Sequence, residues 1–146
     1  MGLFSALQIS ASGLTAERMR MDVTAENLAN AQTTRGADGQ GPYRRKIVLL
    51  GEVPEGGGFA TALRGAMGSR AGQVEVVSIT EDQTPPRLVY DPGHPDADER
   101  GYIEMPNVNP VTEMVDMITA SRAYEANVTA MQTAKGMFNK TLELLR

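Results

Sequence analysis

The chain has 146 residues, a net charge of −4, no cysteine and 41% hydrophobic residues. That length fits one domain, or one small domain with helical extensions, and excludes a large enzyme. The absence of cysteine removes disulfides, thiolate metal sites and cysteine nucleophiles together, and the lack of a basic stripe on either end argues against nucleic-acid binding.

From Leu3 to Asn30 there is no proline and a single glycine, Gly13, which costs about 1 kcal/mol relative to alanine inside a helix. A helix is predicted over that span. Leu7, Leu14, Met21 and Leu28 recur every seven residues, with Phe4, Ala11 and Ala25 three residues before their partners, which reads as a heptad seam. Arg18 falls on this seam, where it is expected to pack its stem and set register. The start does not read as a secretory signal, because Gln8, Ser10 and Ser12 interrupt any apolar core. Met1-Gly2 opens like a myristoylation site, but Ala6 stands where Ser or Thr is required. No stretch approaches the run of about 20 apolar residues that spans a bilayer. Export, if it occurs, is expected to leave this end uncleaved, and no direct membrane insertion is expected.

The middle of the chain is punctuated throughout: residues 36–101 hold twelve of the fifteen glycines, and all eight prolines fall between Pro42 and Pro110. Strands are predicted over Tyr43–Leu50 and Val74–Thr80, with a short third over Arg87–Tyr90, from β-branched content bounded by turn residues. Gly56-Gly57-Gly58 and the small residues up to Gly72 read as a linker rather than a phosphate cradle, since no Gly-Lys-Ser or Gly-Lys-Thr follows. The basic run Arg44-Arg45-Lys46 reads as a solvated strand end. Asp91, His94, Asp96, Asp98 and Glu99 have the donor types of a divalent-metal site, yet Asp-Pro-Gly and His-Pro punctuate turns, so a polar turn is expected. No catalytic, metal or cofactor residue is assigned, and no cofactor or small-molecule substrate is expected.

Asn109-Pro110 restarts the helix with a side-chain cap followed by proline at the first helical position. The second predicted helix runs from Pro110 to Leu145, interrupted by Gly136 alone. Met117, Tyr124, Met131, Phe138 and Leu145 form a second heptad seam, flanked by Met114, Ser121, Val128 and Leu142. Neither stripe can be buried by its own helix. The expected fold class is therefore α+β, with long N- and C-terminal helices paired antiparallel as a coiled-coil-like tube domain and a small β-rich insert. The divisions fall at residues 1–31, 32–106 and 107–146.

Two runs carry a family resemblance. Ser12-Gly13-Leu14 through Glu26-Asn27-Leu28-Ala29-Asn30 resembles the N-terminal signature of bacterial flagellar rod and hook proteins. Asn107-Val108-Asn109 through Met114-Val115-Asp116-Met117-Ile118 to Ser121-Arg122-Ala123-Tyr124-Glu125-Ala126-Asn127 resembles their C-terminal signature. Between them, Arg87 to Asp98 and Gly101-Tyr102-Ile103 are similar to the proximal rod branch of that family, with Gln32 departing from the asparagine common before Thr33-Thr34. The resemblance implies a non-catalytic subunit of the flagellar basal-body rod, which crosses the periplasm. Implied partners are other copies of itself, other rod proteins, a rod-base adaptor and the type III export apparatus. The competing reading is a coiled-coil adaptor or a secretion-needle-like component.

The residues expected to build the assembly interface are Leu7, Leu14, Met21, Asn27, Leu28 and Asn30 of the first helix. From the second come Met114, Met117, Arg122, Tyr124, Asn127, Met131, Phe138 and Leu142. Asn30 and Asn109 also suit capping and turn chemistry. Asn127, in mid-helix, either bonds across a helix or subunit contact or remains a mediocre helix former, and Tyr124 either anchors a neighbour or fills the intramolecular seam.

Overall fold

The computed structural model describes residues 3–36, 41–53 and 72–144. Helix α1 spans Leu3–Ala29, followed by strands β1 (Lys46–Val53), β2 (Gln73–Glu81), β3 (Arg87–Tyr90) and β4 (Tyr102–Met105), and helix α2 spans Pro110–Leu144. The architecture is α+β. β1 pairs with β2, and β3 with β4. Both helix spans agree with the sequence reading. β1 begins three residues later than expected, because the backbone of Arg45 is taken up by loop contacts described below. The linker expected around Gly56–Gly58 lies outside the described residues.

The helix ends follow from local chemistry. Asn109 caps α2: its Oδ1 accepts from the Val111 N–H at 3.0 Å and its carbonyl accepts from the Glu113 N–H at 3.0 Å. Pro110 takes the first helical position, where a missing N–H goes unnoticed. At the end of α1, Asn30 Nδ2 donates to the Glu26 carbonyl at 2.9 Å and Asn30 Oδ1 accepts from the Thr33 hydroxyl at 3.2 Å. Asn30 is thus a terminator of α1, in keeping with its turn chemistry.

The short hairpin β3–β4 is antiparallel, with Val89 opposite Ile103 and Tyr90 opposite Tyr102. Alternation gives it a covered face with Ile103 and an open face where Leu88, Tyr90 and Tyr102 lie, the two tyrosine rings meeting edge-on at 5.2 Å. β4 is too short, at four residues, to show a sequence period of its own. The connection between the strands is the polar turn expected at Asp91 to Glu99. Asp91 Oδ1 accepts from the Gly93 N–H, His94 Nδ1 from the Asp96 N–H, and Asp98 Oδ1 from the Arg100 and Tyr102 N–H groups. Gly101, at φ +80°, takes the left-handed conformation that closes it. Among the described residues no group of three or more His, Asp or Glu side chains is placed to hold a metal ion.

The described residues fall into two compact units, one drawn from Met1–Met19, Leu50–Val77 and Ala120–Arg146, the other from Arg20–Leu49 and Ser78–Thr119. In the first unit the buried apolar side chains are Ala16, Ala120 and Ala134. Phe4 meets Phe138 edge-on at 6.0 Å, and the Val74 N–H donates to Ser12 Oγ at 3.1 Å. A Cβ added at Gly13 would stand 2.9 Å from Asn127 Nδ2, so this glycine admits the Asn127 side chain where alanine would crowd it. In the second unit Val23, Ala31, Ile103 and Val108 are buried, but its largest fully buried side chains include Glu113 and Asn27.

Candidate assembly site

The deepest point of the second unit is polar. Asn27 presents two donors and two acceptors, and all are used: Nδ2 donates to the Lys46 carbonyl at 2.8 Å and to Glu113 Oε2 at 3.0 Å, while Oδ1 accepts from the Lys46 N–H at 2.8 Å and the Tyr43 hydroxyl at 2.9 Å. Its amide therefore pairs with the first residue of β1 as a neighbouring strand would. Glu113, 1% exposed, accepts from Arg45 Nε at 2.6 Å through its other oxygen. Arg45 also reaches Asp116 at 3.5 Å and Asp82 at 3.8 Å. A buried carboxylate is tolerated only when paired and hydrogen-bonded, and Glu113 is both.

Further hydrogen bonds fix the chain leading into β1. Asn107 Oδ1 accepts from the Arg45 N–H at 2.9 Å, and its Nδ2 donates to the Asp82 and Thr84 carbonyls. Lys46 pairs with Glu26 and lies over the Tyr43 ring at 5.9 Å. The basic run at Arg44 to Lys46 is accordingly no solvated strand end: only Arg44 is exposed, whereas Arg45 is committed to three acids and Lys46 to one. Periodicity could not show this, because the acids lie far away in sequence. Burial, and after it the carboxylates Glu26, Glu113 and Glu81, push the Tyr43 hydroxyl up to about 12. Hydrogen bonds from the Thr84 side chain and backbone hold Asp82 below the usual carboxylate range. The Thr34 hydroxyl, and with it Arg35, does the same for Asp96, joining the segment after α1 to the β3–β4 turn.

The residues singled out from the sequence divide by location. On α1, Leu7, Leu14, Met21 and Leu28 are half-buried, while the companion positions Phe4, Ala11, Arg18 and Ala25 are exposed. The most closely packed α1 positions are instead Ala16, Val23 and Asn27. Of these the sequence marked Asn27 alone, since Ala16 and Val23 fall off the run of large side chains at seven-residue spacing. On α2, Met117, Tyr124, Asn127 and Met131 are half-buried beside the buried column of Glu113, Ala120 and Ala134. Asn127 lies against Gly13 and Phe138 against Phe4. Arg122 is exposed, and so are Met114 and Leu142, at 47% and 51%. Met114 belongs to an open stripe with Val111, Val115 and Ile118, spaced so that all four share one side of the first two turns of α2. Solvent-exposed apolar stripes of this kind mark contact surfaces more often than scattered single residues do.

Comparison with known proteins identifies relatives of the chain. Residues 7–37 match the family model "Flagella basal body rod protein", and residues 99–144 match the "Flagellar basal body rod FlgEFG protein C-terminal" model. The chain is 49% identical to the flagellar basal-body rod protein FlgC of Bacillus subtilis, over 99% of both chains. It is 47% identical to that of Borreliella burgdorferi, over 100% of this chain and 99% of the relative. Identity to the Escherichia coli O6:H1 protein is 44%, over 99% of this chain and 98% of the relative. With both terminal signatures matched and relatives aligned from end to end, the chain belongs to the FlgC family of flagellar basal-body rod proteins.

Proposed function

We propose that this chain is a structural subunit of the flagellar basal-body rod, contributing to motility as a load-bearing part rather than as a catalyst. The observation that carries the reading is the end-to-end similarity to relatives named as rod proteins. A generic adaptor or needle-like component does not account for similarity that continues through the β-rich middle of the chain.

Residues 1–31 and 107–146 supply the axial part, with α1 and α2 running antiparallel in coiled-coil fashion, and residues 32–106 form the insert. Two contacts of the first unit support the antiparallel order: from Phe4 to Gly13 the partner on α2 retreats from Phe138 to Asn127. Lengthwise contacts between subunits use the half-buried rim of α1 at Leu7, Leu14, Met21 and Leu28, and the α2 residues Met114, Met117, Arg122, Tyr124, Met131 and Leu142. Asn27 and Asn30 act within the subunit, holding the surface in shape. Partners are other copies of this chain, other rod proteins, a rod-base adaptor and the export apparatus. The chain takes its place in the periplasm-spanning rod.

Deletion of the gene, read by cryo-electron tomography of basal bodies and by swimming assays, tests this proposal. Rods are expected to stop short at the inner membrane, and the full-length chain is expected to restore them where chains lacking residues 1–30 or 110–146 do not. Complete flagella in the deletion strain would overturn the reading.

A further inference from the structure

We infer that Asn27 and Glu113 set the register of α1 against α2, and that Gly13 and Asn127 provide a second key of the same kind. The inference rests on the antiparallel pairing proposed above. Helices whose contact residues recur every seven positions can slide by one heptad and exchange most apolar contacts for similar ones. On α2 the residues Glu113, Ala120, Asn127 and Ala134 recur every seven positions, as do Asn27, Arg20, Gly13 and Ala6 on α1; Glu113 meets Asn27 and Asn127 lies over Gly13. Alanine contacts do not distinguish one alignment from the next.

The polar members do. Asn27 is held to β1 through both backbone groups of Lys46, and Arg45 adjoins that same residue. The two donors to Glu113 therefore stay where β1 puts them. A slide of one heptad would carry Glu113, a carboxylate that is 1% exposed, away from both: in one sense it passes the end of α1 unpaired, and in the other it meets Arg20, so that slide is opposed by the second key. The second key is steric. Asn127 fits over Gly13 because that position has no Cβ, whereas the neighbouring members of the α1 column, Ala6 and Arg20, each have one. Specification of register is the best-attested use of buried polar residues in helical seams, and it explains why the largest buried groups here are not aliphatic.

The absence of native cysteine makes the test direct, since any introduced pair is the only pair. In the dilute full-length chain under mild oxidant, Phe4→Cys with Phe138→Cys reports the native alignment. Phe4→Cys with Met131→Cys, and Ala11→Cys with Phe138→Cys, report slides of one heptad in either sense. The unaltered seam is expected to yield the native cross-link alone, and failure of that cross-link would refute the antiparallel pairing itself. Glu113→Leu is expected to retain helical circular dichroism and to add slipped products. Moving the acid by one heptad, with Glu113→Ala and Ala120→Glu, is expected to shift the product to the Ala11→Cys and Phe138→Cys pair. Exclusive native cross-linking in both variants would overturn the inference. Loss of helicity in both without slipped product would also overturn it, because the cluster would then be needed for folding and not for the choice of register.

Discussion

Asn27 fills every hydrogen-bonding position of its side chain within a buried setting, so its replacement leaves several groups without partners at once. Asn27→Leu strands the Lys46 N–H and carbonyl, the Tyr43 hydroxyl and one oxygen of Glu113. With a cost of about 1 kcal/mol for each of the four stranded groups, a loss of about 4 kcal/mol is expected in urea unfolding. Tyr43 offers an independent readout. Its folded pKa of about 12 exceeds the ordinary tyrosine value of 10.0, so the folded state holds the proton more tightly. The stability that follows is complete below pH 10 and is lost as pH rises toward 12. Ultraviolet titration should show one of the four tyrosines ionising last, and Tyr43→Phe should remove that step. Asp82 and Asp96 act in the opposite sense: both are lowered, so their contribution is present above the ordinary carboxylate pKa and fades as pH falls through the folded values. Acid unfolding should accordingly move to higher pH in Thr34→Ala, which removes the largest cause of the Asp96 shift.

At the scale of elements, α1 accepts a glycine in its interior in exchange for a close approach to α2. Gly13→Ala would gain about 1 kcal/mol of helix propensity, yet its new Cβ would crowd the Asn127 amide. The two effects should nearly cancel in the single variant. In an Asn127→Ala background the obstacle is gone, and Gly13→Ala should then stabilise by about 1 kcal/mol, a coupling that a double-mutant cycle by thermal unfolding would measure. The same element shows what a sequence can and cannot reveal. Both helices were legible, since long spans free of proline and the Asn109-Pro110 start are local signals. Which α1 face packs most tightly was not: large aliphatics at Leu7, Leu14, Met21 and Leu28 drew attention, while the tightest positions are Ala16, Val23 and Asn27. Side-chain size advertises hydrophobicity, but close packing of helices selects small residues. Glu113 was likewise hidden, because an acid in the first turn of a helix is ordinary dipole chemistry until Asn27 and Arg45 arrive from elsewhere in the chain. A hint was available in the heptad column Glu113, Ala120, Asn127, Ala134, which is small or polar throughout.

For the molecule as a whole, the decisive property is how its surface separates residues that hold the subunit together from those left for neighbours. Glu113 is 1% exposed, whereas Val115 and Ile118, two and five residues further along α2, are 57% and 54% exposed. A subunit that had only to fold would gain little from keeping Val111, Met114, Val115 and Ile118 in water on one side of a helix. A subunit that polymerises gains from burying them later, at about 25 cal/mol for each Å² of apolar surface covered. Val115→Glu and Ile118→Glu therefore separate folding from assembly. Each is expected to change unfolding free energy by no more than about 0.5 kcal/mol, as exposed substitutions do. Each is nevertheless expected to abolish or sharply reduce swimming in a complemented deletion strain, with short rods in tomograms, while Gln132→Glu, on an exposed α2 position, leaves swimming intact. Normal motility with both glutamates in place would assign that stripe to no contact in the rod, and the interface would then have to lie on the half-buried seams.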